Sequence, residues 1–169
     1  TYSQNATSEP QNSVKNFEAA IGDAKYASLV EAIEAAAEGD TITMLSDAVI
    51  SQGFEIAEGK TIPLDLGTYS ISGAVNGKLL TNKGTLTINA DSDNPGGVWN
   101  TDVTAQGHDA IFNYDGATIT INGGHFGDAD TDQTNTNAIN RGAALRNYGT
   151  AVLNGGAFTC IDRTQNNGW

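Results

Sequence analysis

Cysteine, basic residues and long apolar stretches are all scarce in this chain. Cys160 is its single cysteine, so no disulfide can form within the chain and packing must hold the fold together. Eight lysine and arginine residues stand against 20 aspartate and glutamate residues, which gives a net charge of −12. This charge opposes binding to nucleic acid, so we expect no nucleic-acid partner. No apolar stretch approaches the roughly 20 residues that span a bilayer, and we expect no membrane insertion.

A strand motif that recurs five times dominates what is present. Each copy begins with glycine and continues with alternating apolar and Thr-like residues; the copies are GDTITML from Gly39, GKTIPLDL from Gly59, GTLTIN from Gly84, GATITINGG from Gly116 and GTAVLNGGAF from Gly149. Aligned on their apolar residues, they return at intervals of 20, 24, 33 and 32 residues, without helical patterns between them. Such a period is typical of a solenoid in which each turn of chain lays one strand beside the last.

The alternation predicts which side chains point into the solenoid. Alignment of the copies places two inward positions in register: Ile42, Ile62, Leu86, Ile119 and Ala151, then Met44, Leu64, Ile88, Ile121 and Leu153. Residues before the glycine turns predict a further inward column, formed by Ile56, Leu80, Ile111 and Leu145. Recurrent asparagines predict two ladders of stacked side-chain amides, Asn82, Asn113 and Asn147, and Asn89, Asn122 and Asn154. The matching segments NGGHF and NGGAF predict that Phe126 stacks on Phe158.

The stretch before the first copy has helical rather than strand spacing. Apolar residues recur with a helical period over residues 24–39, Ser28 and Glu31 form a capping-box pattern, and Gly39 supplies a C-terminal stop. The first coil would otherwise expose its apolar end and an unpaired strand edge. We therefore predict that residues 24–39 form an amphipathic helix that caps the solenoid.

The length of 169 residues suits a single domain. Residues 1–23 are polar and largely aperiodic, and we predict that they form a flexible tail or linker. Residues 24–169 are predicted to form one β-helix domain. We expect this domain to continue past Trp169 as part of a longer protein, because the chain ends just after a fresh strand motif.

Two long insertions between strand copies, residues 90–109 and 127–140, are the candidate binding loops. Trp99 lies in the first, where an aromatic side chain can stack on a sugar ring, anchor a protein interface or fold back on the solenoid. The two histidines are expected to be exposed in loops or on strands. The predicted ligand-binding residues on this flank are Trp99, His108, His125 and Arg141.

Aspartates supply the remaining candidates for chemistry. The alternating carboxylates Asp128, Asp130 and Asp132 resemble the start of a calcium loop, but the glycine and glutamate that such a loop requires do not follow. A solvated turn is therefore the favoured interpretation of these carboxylates; no cofactor is expected, and calcium at this segment is the alternative. The other carboxylates and their candidate arginine partners match no lyase or hydrolase motif, and we predict no catalytic residues; they are Asp91, Asp93, Asp102 and Asp109, with Arg141 and Arg146.

The segments YASLVEAIEAAAEGDTITML, TITINGGHF and AVLNGGAF resemble the right-handed parallel β-helix superfamily, which includes pectate lyases. In particular, they are similar to the Thr/Asn/Gly-rich modules of bacterial cell-surface proteins. The resemblance covers residues 24–160. It implies an all-β fold, a right-handed parallel β-helix (solenoid) of about five coils with an N-terminal amphipathic capping helix. It is specific for fold and weak for function, because the superfamily includes enzymes, phage tailspikes and adhesins.

The sequence therefore favours a non-catalytic β-helix segment of a secreted or cell-surface bacterial protein. Its expected role is adhesion, ligand binding or stalk extension, at an extracellular location. The expected partner is a host or environmental glycan or a surface protein. The alternative is a carbohydrate-active β-helix enzyme, either a polysaccharide lyase or a hydrolase, or a tailspike-like receptor-binding protein of a phage.

Overall fold

The structure is a computed structural model that describes residues 16–101, 108–127 and 143–159. These residues form an all-β fold, a β-solenoid of about three turns with stacked parallel strands. The single helix in these ranges is α1 (Leu29–Ala35). No helix in the described part of the chain has the length and apolar character needed to cross a bilayer.

The described strands lie in three sheets, here called A, B and C. Sheet A contains β1 (Ala19–Ile21), β2 (Ala24–Tyr26), β3 (Ile42–Met44), β6 (Thr61–Asp65), β9 (Thr85–Asn89), β12 (Thr118–Ile121) and β15 (Thr150–Leu153). Sheet B contains β4 (Ala48–Val49), β7 (Ser70–Gly73), β10 (Gly97–Asn100), β13 (His125–Gly127) and β16 (Ala157–Thr159). Sheet C contains β5 (Phe54–Ile56), β8 (Lys78–Asn82), β11 (Asp109–Asn113) and β14 (Leu145–Asn147). From β3 onward the chain visits the sheets in the repeating order A, B, C, and neighbouring strands from successive visits are parallel.

The apolar core lies between the sheets, where the sequence alternation predicts it. In sheet A the predicted register from β6 to β15 is confirmed, and the inward residues of β6, β9 and β12 are fully buried; they are Ile62, Leu64, Leu86, Ile88, Ile119 and Ile121. Leu153 in β15 occupies the same column but is 53% exposed, because β15 is the last strand of sheet A in the described ranges. The column Leu80, Ile111 and Leu145 in sheet C is also confirmed.

The first coil of sheet A is shifted by two residues from the predicted alignment. Ile42 lies opposite Leu64 rather than opposite Ile62. A shift of two residues keeps the same side chains pointing inward, whereas a shift of one would turn them outward. The apolar pattern therefore cannot distinguish the observed register from the predicted one.

Sheet C shows the same two-residue shift in its first strand. Phe54 rather than Ile56 lies opposite Leu80, and Ile56 lies opposite Asn82. Ile56 is fully buried there. Ile56 therefore lies next to Asn82, the first residue of the buried asparagine ladder, and does not belong to the apolar column predicted for it.

Both asparagine ladders are confirmed. In the buried ladder, Asn82 Nδ2 donates to Asn113 Oδ1 and Asn113 Nδ2 donates to Asn147 Oδ1, each at 2.7 Å. In the exposed ladder, Asn122 Nδ2 donates to Asn89 Oδ1 at 2.7 Å, and Asn154 Nδ2 donates to Asn122 Oδ1 at 2.8 Å. These side chains join successive coils by bonds parallel to those of the sheets, so they fix the stacking of the turns as well as their shape.

The glycines that begin the strand copies meet two different needs. Gly116 has a φ of +80° with open space around its Cα, a left-handed conformation that glycine adopts without a steric penalty. Gly84 lies in a shorter turn, where a Cβ would collide with the carbonyl oxygens of Ala57 and Lys60 in the preceding coil. Glycine at the start of a strand copy is therefore needed for a left-handed turn conformation in one coil and for a close approach of two backbones in another.

The N-terminal part of the fold differs from the prediction. β1 and β2 form an antiparallel hairpin, and β1 also pairs antiparallel with β3. Residues 19–21 are therefore part of sheet A and not of a tail, and Ala24–Tyr26 is a strand and not the first turn of a helix. The hairpin covers the edge of β3 that would otherwise be free to pair.

Helix α1 is shorter than predicted, but its N-cap residue is Ser28, as the capping-box pattern predicts. Ser28 Oγ accepts a hydrogen bond from the backbone N–H of Glu31 at 3.2 Å, and the helix ends at Ala35 with Ala36 as its C-cap, before the turn at Gly39. Its buried residues are Leu29, Ala32 and Ile33. Lys60 Nζ, next to the start of β6, donates to the C-terminal carbonyl oxygens of the helix at 2.8 to 3.3 Å, which ties the helix to the second coil and satisfies groups that a helix end leaves unpaired.

Strand β10 lies inside the segment predicted to be the first insertion. Residues 97–100 pair in parallel with β7 and β13, so this part of 90–109 belongs to sheet B and not to a loop. The sequence does not predict this strand because glycine interrupts the apolar alternation. Glycine is needed at position 97, where a Cβ would collide with the carbonyl oxygen of His125. Farther along sheet B, Phe126 stacks on Phe158 as predicted, with ring centroids 5.2 Å apart. Residues 128–140 of the second insertion lie outside the described ranges.

Candidate functional site

Two of the predicted ligand-binding residues, Trp99 and His125, meet on the outer side of sheet B. Their ring centroids are 6.5 Å apart with the planes at 71°, an edge-to-face contact. Trp99 is half-buried and His125 is exposed. The indole nitrogen of Trp99 lies over Gly97, where a Cβ would stand 2.9 Å from it. The pair therefore sits on rigid strands, with glycine making room for the indole.

The other predicted residues do not join this pair in the described structure. His108 is only 1% exposed and directly precedes β11, so the expectation that it is an exposed loop residue is wrong. Arg141 and the predicted calcium ligands Asp128, Asp130 and Asp132 lie outside the described residues. Within the described ranges, no group of three or more histidine, cysteine, aspartate or glutamate residues could hold a metal ion.

Asp109 and Arg146, which the sequence left as candidate carboxylate and partner, form a structural ion pair. Arg146 Nε donates to Asp109 Oδ2 at 2.7 Å and Arg146 Nη2 donates to Asp109 Oδ1 at 3.0 Å. The backbone N–H of Ala143 also donates to Asp109 Oδ1. The hydrogen bonds to the carboxylate raise the pKa of Arg146 above its ordinary value. With the carboxylate 2% exposed and bound on both oxygens, Asp109 holds β11 and β14 together.

Asp91, another candidate, organises a turn on the surface. Its Oδ1 accepts hydrogen bonds from the backbone N–H groups of Asp93 and Asn94, both at 2.9 Å. The bond from Asn94 has the larger effect and that from Asp93 the smaller, and together they lower the pKa of Asp91 below its ordinary value. This pattern is the aspartate turn that starts many loops, and it accounts for the carboxylate without any ligand.

Sheet C carries an aromatic cluster that the sequence analysis did not single out. Phe112 lies between two tyrosines, with its ring centroid 5.0 Å from that of Tyr114 and 5.4 Å from that of Tyr148. Tyr114 is 40% exposed and Tyr148 is 63% exposed, while Phe112 is half-buried. These three residues are called the aromatic face below.

The buried asparagine ladder places this cluster. Tyr114 and Tyr148 directly follow Asn113 and Asn147, and the backbone N–H of each tyrosine donates to a ladder residue of the coil before, Asn82 and Asn113 respectively. Phe112 precedes Asn113, so the alternation of β11 turns it outward. The signal in the sequence is the dipeptide Asn-Tyr, which recurs at the coil period.

Basic side chains border the aromatic face, and each has a partner. Lys78 Nζ lies 3.6 Å from the centroid of Phe112, a cation–π contact. Lys83 Nζ lies 2.7 Å from Glu55 Oε2 and 5.6 Å from the centroid of Tyr114. The hydrogen bond to Glu55 raises the pKa of Lys83 above its ordinary value, so this lysine is charged throughout the neutral range.

Comparison of the chain with protein-family models, with curated proteins and with solved structures finds no match. The function must therefore be inferred from the surfaces of the solenoid itself. Two of these surfaces present aromatic rings that are at least partly exposed: the Trp99–His125 pair on strands of sheet B, and the aromatic face on sheet C and the turns that follow it. Aromatic groups fixed on a rigid scaffold are suited to recognition, because little conformational freedom is lost when a ligand binds.

Proposed function

We propose that this chain is a non-catalytic β-helix segment of a bacterial cell-surface or secreted protein, and that it serves adhesion, ligand binding or stalk extension outside the cell. The observation that carries the proposal is the presence of exposed aromatic rings in the turns that directly follow the stacked strands β11 and β14, those of Tyr114 and Tyr148. Solenoids place such side chains at fixed spacings over an extended surface, which is a form of binding site common to repeat proteins.

The finer architecture belongs to the same proposal. We infer a right-handed parallel β-helix of the pectate-lyase-like type, with about five coils when one coil is counted for each of β3, β6, β9, β12 and β15. The strand order A, B, C that recurs along the chain supports this count. We also propose that α1 acts with the β1–β2 hairpin as the N-terminal cap. Burial of Leu29 and Ile33 in the core supports this role.

The proposed partner is a host or environmental glycan or a surface protein. Trp99 and His125 are proposed ligand-binding residues, supported by their contact on the outer side of sheet B. His108 and Arg141 stay predictions, as does calcium at Asp128, Asp130 and Asp132. A rise in melting temperature on addition of calcium chloride, lost in Asp130→Asn, would support the calcium site.

A glycan array combined with polysaccharide-cleavage assays tests the proposed role. We expect binding to one class of glycan or to a surface protein without release of shortened chains or unsaturated products. Cleavage of any uronate polymer or other polysaccharide by the purified chain would replace this proposal with the carbohydrate-active enzyme. Selective retention on a bacterial surface polymer that serves as a phage receptor would favour the tailspike-like alternative.

A further inference from the structure

We propose that the aromatic face is a binding site for an uncharged polysaccharide, whose sugar rings stack on Tyr114 and Tyr148. The inference rests on the ligand-binding role proposed above and adds to it a site and a class of ligand. It concerns sheet C and is separate from the Trp99–His125 pair on sheet B.

The two tyrosine rings are held in place before any ligand arrives. Phe112 contacts both of them, at centroid distances of 5.0 and 5.4 Å, and Lys78 Nζ lies 3.6 Å from the centroid of Phe112 and 5.2 Å from that of Tyr114. Tyrosine has only two side-chain torsions, and contacts on Phe112 restrict them further. Binding therefore costs little side-chain entropy, which is the cost that weakens most exposed surfaces as binding sites.

The row of side chains runs across the strands, along the direction in which the coils stack. Lys83, Tyr114 and Tyr148 each follow an asparagine of the buried ladder on successive coils. Neighbouring strands are about 4.8 Å apart in such sheets, so the row offers a contact at every coil. An extended chain of repeating units matches this row better than a small, compact ligand does.

The charges at the face favour an uncharged ligand. Lys83 is paired with Glu55, Arg146 is paired with Asp109, and Lys78 lies on the ring of Phe112. The chain as a whole carries a net charge of −12, which opposes the approach of a polyanion. Tyr114 and Tyr148 are exposed, and a tyrosine ring has an apolar face and a hydroxyl edge, the combination that suits the C–H face and hydroxyl rim of a sugar.

Affinity electrophoresis of the whole chain through gels that contain soluble glucan, mannan, xylan or galactan is the first test. Polygalacturonate and its methyl ester provide a pair with the same sugar backbone, in which esterification removes the charge and adds a methyl group. We expect retardation by at least one uncharged polymer, and this retardation should persist in 0.5 M salt, roughly a level that screens surface charge pairs. Titration calorimetry with oligosaccharides of that polymer then gives affinities for the variants.

Tyr148→Ala should lower the affinity for those oligosaccharides by about tenfold or more, whereas Tyr148→Phe, which keeps the ring, should retain binding. Tyr69→Ala removes an exposed tyrosine directly before β7 of sheet B; it is the matched control and should bind as the parent chain does. Tyr148 is 63% exposed, so the fold should survive its truncation, and circular dichroism checks this.

Four results would overturn the inference. They are no retardation by any uncharged polymer, retardation by polygalacturonate that exceeds that by its methyl ester, unchanged affinity of Tyr148→Ala, and self-association of the chain that Tyr148→Ala abolishes. Binding that is lost in Trp99→Ala alone would move the site to sheet B and leave the proposed ligand-binding role intact. Cleavage of the polymer would instead remove the non-catalytic role, so the two failures are distinguishable.

Discussion

Residues that look equivalent in the repeat differ in what surrounds them. Asn113 in the buried ladder is fully buried, accepts from Asn82, and donates to Asn147 and to the backbone oxygen of Thr150. The side chain of Asn122 in the exposed ladder is hydrogen-bonded to the side chains of Asn89 and Asn154, and the residue faces water. Loss of a side chain leaves buried partners unsatisfied in the first case, while water replaces the lost partner in the second.

Asn113→Ala should therefore lower the free energy of unfolding by about 1 to 3 kcal/mol for each buried group that it leaves without a partner. Asn122→Ala, the matched control, should cost less than about 1 kcal/mol. Urea denaturation of both variants measures the difference. Equal losses would mean that the buried ladder adds nothing beyond the exposed one.

Gly84 and Gly116 offer a second comparison at this scale. Alanine at position 84 would place a Cβ against two backbone carbonyl oxygens, whereas alanine at position 116 would meet open space and only the strain of a positive φ. That strain costs roughly 1 to 2 kcal/mol. We expect Gly84→Ala to reduce the melting temperature more than Gly116→Ala does, as followed by circular dichroism. A larger loss for Gly116→Ala would contradict the close approach of the two turns.

At the scale of single elements, the sequence predicts a strand correctly where apolar and polar residues alternate without interruption. Columns such as Ile88 over Ile121 and both asparagine ladders follow from the repeat alone. The sequence does not predict strand β10, because Gly97 interrupts the alternation. Glycine is needed there, since a Cβ would collide with the backbone of His125. The register of β3 was also beyond the sequence, since a two-residue shift preserves the inward face.

The aromatic face was missed for a different reason. Phe112, Tyr114 and Tyr148 occupy outward or turn positions, and a reading based on inward columns does not compare such positions between coils. Their proximity depends on the register of sheet C and on turn lengths, which are set by contacts between coils that are distant in sequence. An alignment centred on the ladder asparagines would have brought the two tyrosines together.

Within sheet A, the columns predict how much each coil contributes to stability. Ile121 is fully buried opposite Ile88, while Leu153 continues the same column but is 53% exposed. Ile121→Ala should cost about 2 to 5 kcal/mol through lost burial and a cavity. Leu153→Ala should cost less than about 1 kcal/mol. Chemical denaturation followed by circular dichroism measures both, and similar losses would argue against a core that runs along this column.

At the scale of the whole molecule, a stack of coils is protected along its sides by its own sheets and is vulnerable at its ends. At the N-terminal end of sheet A, β1 pairs antiparallel with β3, so the parallel ladder stops there. This reversal prevents a further parallel strand from adding to β3. Helix α1, held by Lys60 at its C-terminus, packs its apolar residues into the same end of the core.

Deletion of residues 1–38 should open this end. The edge of β3 would lose its partner β1, and the core residues that α1 covers would reach water. Because an open strand edge pairs readily with another chain, we expect the shortened protein to self-associate in a concentration-dependent way, as measured by sedimentation velocity. The same deletion with Thr43→Lys, which puts a charge on the outward position of β3, should associate less. If the deletion variant stays monomeric and as stable as the parent chain, the hairpin and the helix do not form a cap.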